Sequence, residues 1–550
     1  MPVKTITTVF GHSMPPEGDH TITVHAKYWD TCIRFRDGET SLLAHLKSIY
    51  PRFGPHAHAK QLSVAVVERL GLPKGSSALL FTSPDAFKSA KAHALSAHRK
   101  EKKLTESDLT FHVVDIHGVR LYVVAFFMTK TPGVIGFWQN PGIGISTRLG
   151  EALLAYKDEI QVVPFSGDLT AVPPPTYLPE SDAHVQLRER ITGLLHRAVI
   201  DPATVQTTPD DVYLYPSGMA SIYFTNELLL QRRPGTVVIL GAVFHSTFHL
   251  AEDAPGGMKH FARRKEGRKI SYAFVEFPSN PILVSADLRR VRQLADKYDF
   301  PFVVDETVGS FCNVDVSSVA DVIITSLTKS FSGYANLLAG SAALNPASPH
   351  YASLKPLYAR AHHNELFAGD AAVLLANSAD YLARSAVLNR NAAALAARLR
   401  PAASDPLSPV TGVLYPPHTD TAGNYAAFAR RATPDFAPGH GCLLSVDFED
   451  VPTAAAFYDN LSFYHGPHLG AHHSLAMPFN ATVFGRDAAE MAYHAAYGAR
   501  EAQVRLSVGL EEERELLDTV EEALGRAAEA RARRERGEEV GWRREKVDFS

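Results

Sequence analysis

Hydrophobic positions change their rhythm along this chain. Between residues 211 and 325 they gather into short unbroken runs: 211–215 (DVYLY), 236–241 (TVVILG), 272–277 (YAFVEF), 302–305 (FVVD) and 321–325 (DVIIT). Between two of these runs, 287–299 (DLRRVRQLADKYD) spaces its apolar residues as a helix does. Apolar strands separated by helices predict βαβ units and a mostly parallel sheet covered on both faces, an α/β fold. Upstream the text is mixed. Residues 57–71 read as a helix, and 111–127 alternates like two strands around a turn at Ile116-His117-Gly118. A proline-rich stretch at 172–179 marks a boundary, because prolines hold the chain extended. Downstream, 442–448 and 503–508 read as strands and 511–530 as a final helix. These shifts divide the chain into a mixed α+β region (1–180), an α/β domain (181–400), a smaller C-terminal domain (401–525) and a charged tail (526–550). The tail's composition predicts a solvated helix end or disorder.

Composition narrows the class. The 550 residues carry 55 Lys+Arg against 59 Asp+Glu, a net charge of −4, with 45% hydrophobic and 21% charged residues. That excludes a disordered or collagen-like chain and argues against bulk nucleic-acid binding. Three cysteines, Cys32, Cys312 and Cys442, are too few for a disulfide framework, which predicts a reducing, cytoplasmic setting. The first twenty residues lack the basic-then-apolar plan of a secretory leader, and no apolar run reaches the ~18–20 residues a bilayer needs. The sequon Asn480-Ala481-Thr482 is therefore predicted to carry no glycan.

In parallel sheets ligands gather at the carboxyl ends of strands, so the residues just past each run are the candidates for chemistry. After 211–215 comes Pro216-Ser217-Gly218-Met219-Ala220-Ser221, a small-residue turn opening a helix. Its free N–H groups and the helix dipole suit a phosphate, although such a turn is equally an ordinary cap. After 302–304 comes Asp305-Glu306-Thr307, a carboxylate able to face a ring nitrogen or simply to cap a helix. After 321–325 comes Ser326-Leu327-Thr328-Lys329-Ser330-Phe331-Ser332-Gly333. A lysine directly following a buried strand, inside a hydroxyl-rich loop, is a candidate Schiff-base former; standing alone it would read as a loop lysine. Phosphate cradle, ring-nitrogen carboxylate and Schiff-base lysine, in that order, are the parts a protein must supply to pyridoxal phosphate.

Those segments resemble the γ-subgroup of fold-type I pyridoxal-phosphate enzymes, the Cys/Met-metabolism family, and most of all its long fungal cystathionine γ-synthase-like members. The resembling text is 217–222 (SGMASI), 275–281 (VEFPSNP), 303–311 (VVDETVGSF), 326–341 (SLTKSFSGYANLLAGS), 458–471 (YDNLSFYHGPHLGA) and 504–513 (VRLSVGLEEE). In the N-terminal part, 28–31 (YWDT), 50–53 (YPRF) and 137–148 (FWQNPGIGISTR) are similar too. The resemblance implies a fold-type I transferase with a smaller α+β C-terminal domain and an extra N-terminal region. It implies that Lys329 forms the Schiff base and moves protons, and that Asp305 pairs with the ring nitrogen. It assigns the phosphate to Ser217, Gly218, Met219, Ser326 and Thr328, with Thr307 in the same cofactor set, and places Asn280 near the cofactor's phenolic oxygen. Arg505 matches the arginine that grips the substrate α-carboxylate. A tyrosine and an arginine from a neighbouring subunit complete the phosphate site in this family. Two places compete for that role here, Tyr50-Pro51-Arg52 and Ser146-Thr147-Arg148, and either implies a homodimer or a dimer of dimers with shared sites.

Two departures bear on the reaction. The family's stacking tyrosine is replaced by Phe244, in Phe244-His245-Ser246-Thr247, which can stack but has no hydroxyl. His245 is a candidate substitute for the missing acid–base group. The family's S-L-G reads His468-Leu469-Gly470, beside the substrate carboxylate. The activity implied is γ-substitution on an activated homoserine through a vinylglycine-type intermediate, with cysteine or another sulfur or carbon nucleophile. Elimination to a keto acid and ammonia is the alternative, and a non-catalytic scaffold the reading from another class. Gly142-x-Gly144 lacks the third glycine of a dinucleotide loop. The pairs His362/His363 and His472/His473, and His245 with His249, lack any zinc-site spacing, so no metal is expected. Cys312 reads as a packed thiol.

Overall fold

A computed structural model of the chain describes residues 5–543 except 52, 97–98, 100–101, 254–257 and 261–268. Arg52 lies outside the described residues, as does the end of the tail. The sheet that carries the candidate chemistry has seven strands. Across it they run Val212–Tyr215, Gly340–Leu344, Val322–Thr325, Phe302–Asp305, Ile270–Glu276, Thr236–Leu240 and Met258–His260. Six run in one direction and Gly340–Leu344 runs against them. That reversed strand is built of small residues (GSAAL), and its weak apolar signal is why the hydrophobic pattern does not show it.

Burial on both faces explains the unbroken apolar runs. Tyr213, Tyr215, Val237, Ile239, Tyr272, Phe274, Val303, Val322 and Ile324 pack into one core. Their neighbours Val212, Leu214, Leu240, Ala273, Val275, Phe302, Val304 and Ile323 pack into the other. Successive side chains leave a strand on opposite faces, so a strand with two apolar faces needs apolar residues at every position.

Two further sheets flank this one. An antiparallel four-stranded sheet is ordered Ser76–Phe81, Val119–Phe127, Thr110–Ile116, Gln161–Val163. Its central hairpin pairs Ile116 with Val119 across His117 and Gly118, both at positive φ, where the alternating text predicts a turn. A five-stranded sheet is ordered Val410–Leu414, Leu443–Phe448, Gln503–Ser507, Leu475–Met477, Tyr464–His465. The last helix, Glu513–Glu535, buries Leu516, Val520, Ala523, Ala527 and Ala530, so its apolar stripe stops at the predicted end while the helix itself runs five residues further.

The described residues 5–50 form no sheet of their own. They lie along the segment after Lys329 and the C-terminal part: the Ile22 N–H donates to the Ala335 carbonyl at 2.8 Å and the Ala26 N–H to that of His465 at 3.0 Å. The helix Trp29–Arg36 sets Trp29 edge-on to Tyr458. This route delivers Tyr50 to the lysine loop. Asn480 is 0% exposed and donates to the Arg500 carbonyl at 2.8 Å, so its amide is turned inward. All three cysteines are buried and unpaired. Among the described residues no helix is long and apolar enough to cross a membrane.

Candidate active site

Adjacent strand ends converge on one cavity. Its walls include Tyr50, Ser217, Gly218, Met219, Phe244, Glu276, Asn280, Asp305, Thr307, Ser326, Thr328, Lys329 and Arg505. Residues separated by more than 450 positions in sequence therefore share one space.

The cradle is built by a helix start. Ser217 is extended (φ −161°, ψ 163°) and its Oγ accepts the Ala220 N–H at 3.0 Å, capping the helix Gly218–Arg232. The same hydroxyl donates to the Gly142 carbonyl at 2.7 Å, anchoring the cap to the loop before Arg148. A capped start of this kind leaves the N–H groups of the first two positions, Gly218 and Met219, with no acceptor inside the helix. Gly218 stands where the lysine loop comes closest: a Cβ there would lie 2.6 Å from Ser326 Cβ. On the other side of the lysine, Gly470 (φ +73°) packs on the loop backbone, and a Cβ would meet the Ser330 nitrogen at 2.5 Å. Two glycines thus let neighbouring loops close around Lys329.

The Lys329 amine donates to the Tyr50 hydroxyl at 2.8 Å. Tyr50 is buried and stands edge-on to Phe53 and His468. The resemblance implied a tyrosine from a neighbouring subunit; in this structure Tyr50 of the same chain lies in the cavity.

Opposite stands a pair of carboxylates. Asp305 and Glu276 are register partners at the ends of neighbouring parallel strands. Asp305 Oδ1 accepts the Thr307 N–H at 2.9 Å. Glu276 accepts the Phe244 N–H at 2.6 Å and the Asn280 N–H at 3.1 Å, which fixes both neighbours against the cavity. Burial raises the pKa of each carboxyl above the ordinary range, and the charge of Asp305 raises that of Glu276 further. Among the described residues neither has a cationic partner. The pair is therefore suited to face a cationic N–H. Glu276 was not singled out from sequence; its only signal was a carboxylate ending a buried strand.

Arg505 projects from the middle of the C-terminal sheet, between Ser445 and Met477. It is 2% exposed, donates to the carbonyls of Pro467 (2.6 Å) and His468 (3.2 Å) and to Asn280 Oδ1 (3.2 Å), and lies over the Phe479 ring. Burial draws its pKa down to about 10, so it stays charged near neutrality. Among the described residues no carboxylate pairs with it. His468 is also fully buried, with no hydrogen-bond partner for either ring nitrogen, and burial with the nearby Lys329 and Arg505 charges holds its pKa well below the usual value.

The other predicted residues divide between the wall and places away from it. Thr328 Oγ1 donates to the Ala339 carbonyl at 3.1 Å and accepts the Ala339 N–H at 3.0 Å, and Thr307 Oγ1 accepts the Ser326 N–H at 2.8 Å. Both hydroxyls hold the loops together while their residues line the cavity. Arg148 is absent from the cavity wall; its Nη1 donates to the Asn336 carbonyl at 2.8 Å and to Asp370 at 3.1 Å. His245 bonds Glu490 through Nδ1 at 2.7 Å and is likewise absent from the wall.

The donor set fits pyridoxal phosphate. Free helix-start N–H groups and the Ser326 hydroxyl suit the phosphate, the uncompensated Asp305–Glu276 pair suits a pyridinium, Phe244 offers a ring face, and Lys329 offers the amine. An α/β enzyme with a lysine at one strand end and a carboxylate at the next is of the fold-type I class. The family model for Cys/Met metabolism PLP-dependent enzymes matches residues 203–525. An alanine racemase from Aspergillus violaceofuscus is 32% identical, covering 95% of this chain and 97% of that protein. A cystathionine gamma-synthase-like protein from Aspergillus thermomutatus is 32% identical over 94% of each. Among solved structures, cystathionine gamma synthase from Xanthomonas oryzae pv. oryzae superposes with a TM-score of 0.53 at 23% identity, covering 64% of this chain and 87% of that one. This chain belongs to the Cys/Met metabolism family of PLP-dependent enzymes and is cystathionine γ-synthase-like within it.

Proposed function

We propose that this chain carries out γ-substitution on an activated homoserine, an O-acyl- or O-phosphohomoserine, with a sulfur or carbon nucleophile. The observation that supports it is one cavity holding both a lysine amine, hydrogen-bonded to Tyr50, and a buried arginine with no carboxylate partner. Bound pyridoxal phosphate supplies the electron sink that makes an amino acid's Cα proton removable. The chain's own residues do the rest. Ser217, Gly218, Met219, Ser326 and Thr328 hold the phosphate. Asp305 faces the ring nitrogen with Thr307 fixing its carboxylate, Phe244 lies against the ring, and Asn280 stands near the phenolic oxygen. Arg505 receives the substrate α-carboxylate in a bidentate grip, which sets the Cα–H toward Lys329. Lys329 Nζ takes that proton, and the Tyr50 hydroxyl, at hydrogen-bond distance, orients the amine.

Loss of a γ leaving group also needs a proton moved at Cβ. Phe244 cannot do this. Lys329 Nζ, the amine on the cavity wall, is the group we assign to it, since His468 is absent from that wall. The same reading takes the enzyme as a cytoplasmic homodimer or dimer of dimers, with Arg52 or Arg148 reaching a neighbouring subunit's phosphate site.

The test is a mass-spectrometric assay offering O-acetyl-, O-succinyl- and O-phosphohomoserine against a panel of thiols and carbon nucleophiles. The expected result is a γ-substituted amino acid that depends on the nucleophile and disappears in Lys329→Ala. Keto acid formed at the same rate without any nucleophile would replace substitution with elimination. Conversion of L- to D-alanine with no turnover of any homoserine ester would replace it with racemisation.

A further inference from the structure

Outside the cavity, the helix His245–Glu252 meets the helix Ala488–Ala495. Each presents two ligand-type side chains four residues apart, hence on one helical face: His245 and His249 on the first, Glu490 and His494 on the second. His245 Nδ1 lies 2.7 Å from Glu490 Oε1, and His249 Nε2 lies 3.6 Å from Glu490 Oε2. The ligand atoms of these three residues all fall within 4.8 Å of one another. The spacing in sequence gave no such hint, because the second pair comes from more than 240 residues away.

Hydrogen bonds and close contacts between imidazoles and carboxylates account for three of the four residues. They do not account for His494. That ring is 0% exposed, neither nitrogen has a hydrogen-bond partner, and Nε2 points to within 3.8 Å of Glu490 Oε1. Phe484 stacks on it at 3.7 Å and 10°, which fixes its plane. A buried imidazole with one nitrogen unmatched and the other held only loosely toward a carboxylate is costly unless something binds it. Glu252 adds a further sign: its Oε2 stands 2.9 Å from His249 Nδ1, the outer carboxylate that typically orients a metal-bound histidine by its other nitrogen.

We propose that His245, His249 and Glu490 bind a divalent cation of the zinc class, with His494, beside Glu490, closing on the ion as the fourth ligand. Three imidazole nitrogens and one carboxylate oxygen are a usual tetrahedral set for zinc. The charges of Glu490 and Glu252 together balance a dication. The ion clamps the two helices together, and the first of them begins one residue after Phe244, whose N–H is held by Glu276. The clamp is thus structural, and it fixes where the stacking ring sits. It does not depend on which amino-acid reaction the cavity performs.

The experiment uses the full-length holoenzyme, stripped with a chelator and reloaded with zinc chloride. Elemental mass spectrometry and competition with a chromogenic chelator are the readouts, with cobalt(II) as a spectroscopic probe. The expected result is one zinc per chain, intense visible cobalt bands of a tetrahedral site, and an affinity at least about tenfold weaker in both His249→Gln and Glu252→Gln. These two positions are partly exposed and are chosen so that the fold survives. Less than a tenth of a zinc per chain after gel filtration overturns the proposal. So does zinc binding that is equally tight in both variants, which would place the ion elsewhere, for instance on the cofactor phosphate.

Discussion

Arg505 is the residue whose replacement speaks most directly to substrate binding. In Arg505→Gln the guanidinium goes, and the carbonyls of Pro467 and His468 and the Asn280 amide oxygen lose its hydrogen bonds. A carboxylate gripped by two charge-assisted bonds loses about 3–6 kcal/mol at roughly 1.5–3 kcal/mol each. That corresponds to a fall in kcat/KM of roughly 10²–10⁴-fold. Arg505→Lys keeps the charge but offers a point in place of a fork, so one bond's worth is lost, roughly 10–150-fold. The assay is steady-state kinetics on the best substrate found, with kcat and KM resolved separately. Visible absorbance confirms cofactor retention and circular dichroism confirms the fold. Because the interaction orients as well as binds, kcat should fall along with the rise in KM. A folded, cofactor-loaded Arg505→Gln with kcat/KM within threefold of the wild type would refute the assignment.

Two further outcomes follow from local geometry. Gly218→Ala brings a Cβ to 2.6 Å from Ser326 Cβ, so the cradle must open, and cofactor affinity measured by equilibrium dialysis should drop by at least about tenfold while the fold persists. Burial raises the Glu306 carboxyl from its ordinary 4.5 to about 8, with Thr325 Oγ1 as its donor at 2.8 Å. The folded chain thus binds that proton more tightly than the unfolded one. The stability gained is complete below about pH 4 and is lost as pH rises through 8, with an upper bound of roughly 5 kcal/mol. Glu306→Gln, which keeps an acceptor for Thr325, should flatten the decline in Tm of the apoprotein between pH 5 and 8.5; an unchanged slope would show that other groups cause it.

How much of this was legible beforehand differs between the strands and what they hold. The runs around Val303 and Ile323 announced buried parallel strands because a strand covered on both faces can have no polar position, and that constraint is written in consecutive letters. The cap at Ser217 and the lysine at 329 were legible for the same reason: each is set by residues within a few positions of itself. So was the γ-family likeness, which rests on those same short segments.

Contacts between distant segments were not legible. The partnership of Glu276 with Asp305 depends on which strands are neighbours and in what register, and a shift of one residue would turn either carboxylate away. Tyr50 reaches Lys329 across 279 positions only because residues 5–50 lie along the segment after Lys329 and the C-terminal part. His245 and His249 resembled chance histidines until a second helix brought Glu490 and His494 against them. Local periodicity specifies what each segment becomes, because backbone geometry and one-sided burial act over a few residues. Which side chains then share a cavity is decided by packing between segments, and packing has no period along the chain.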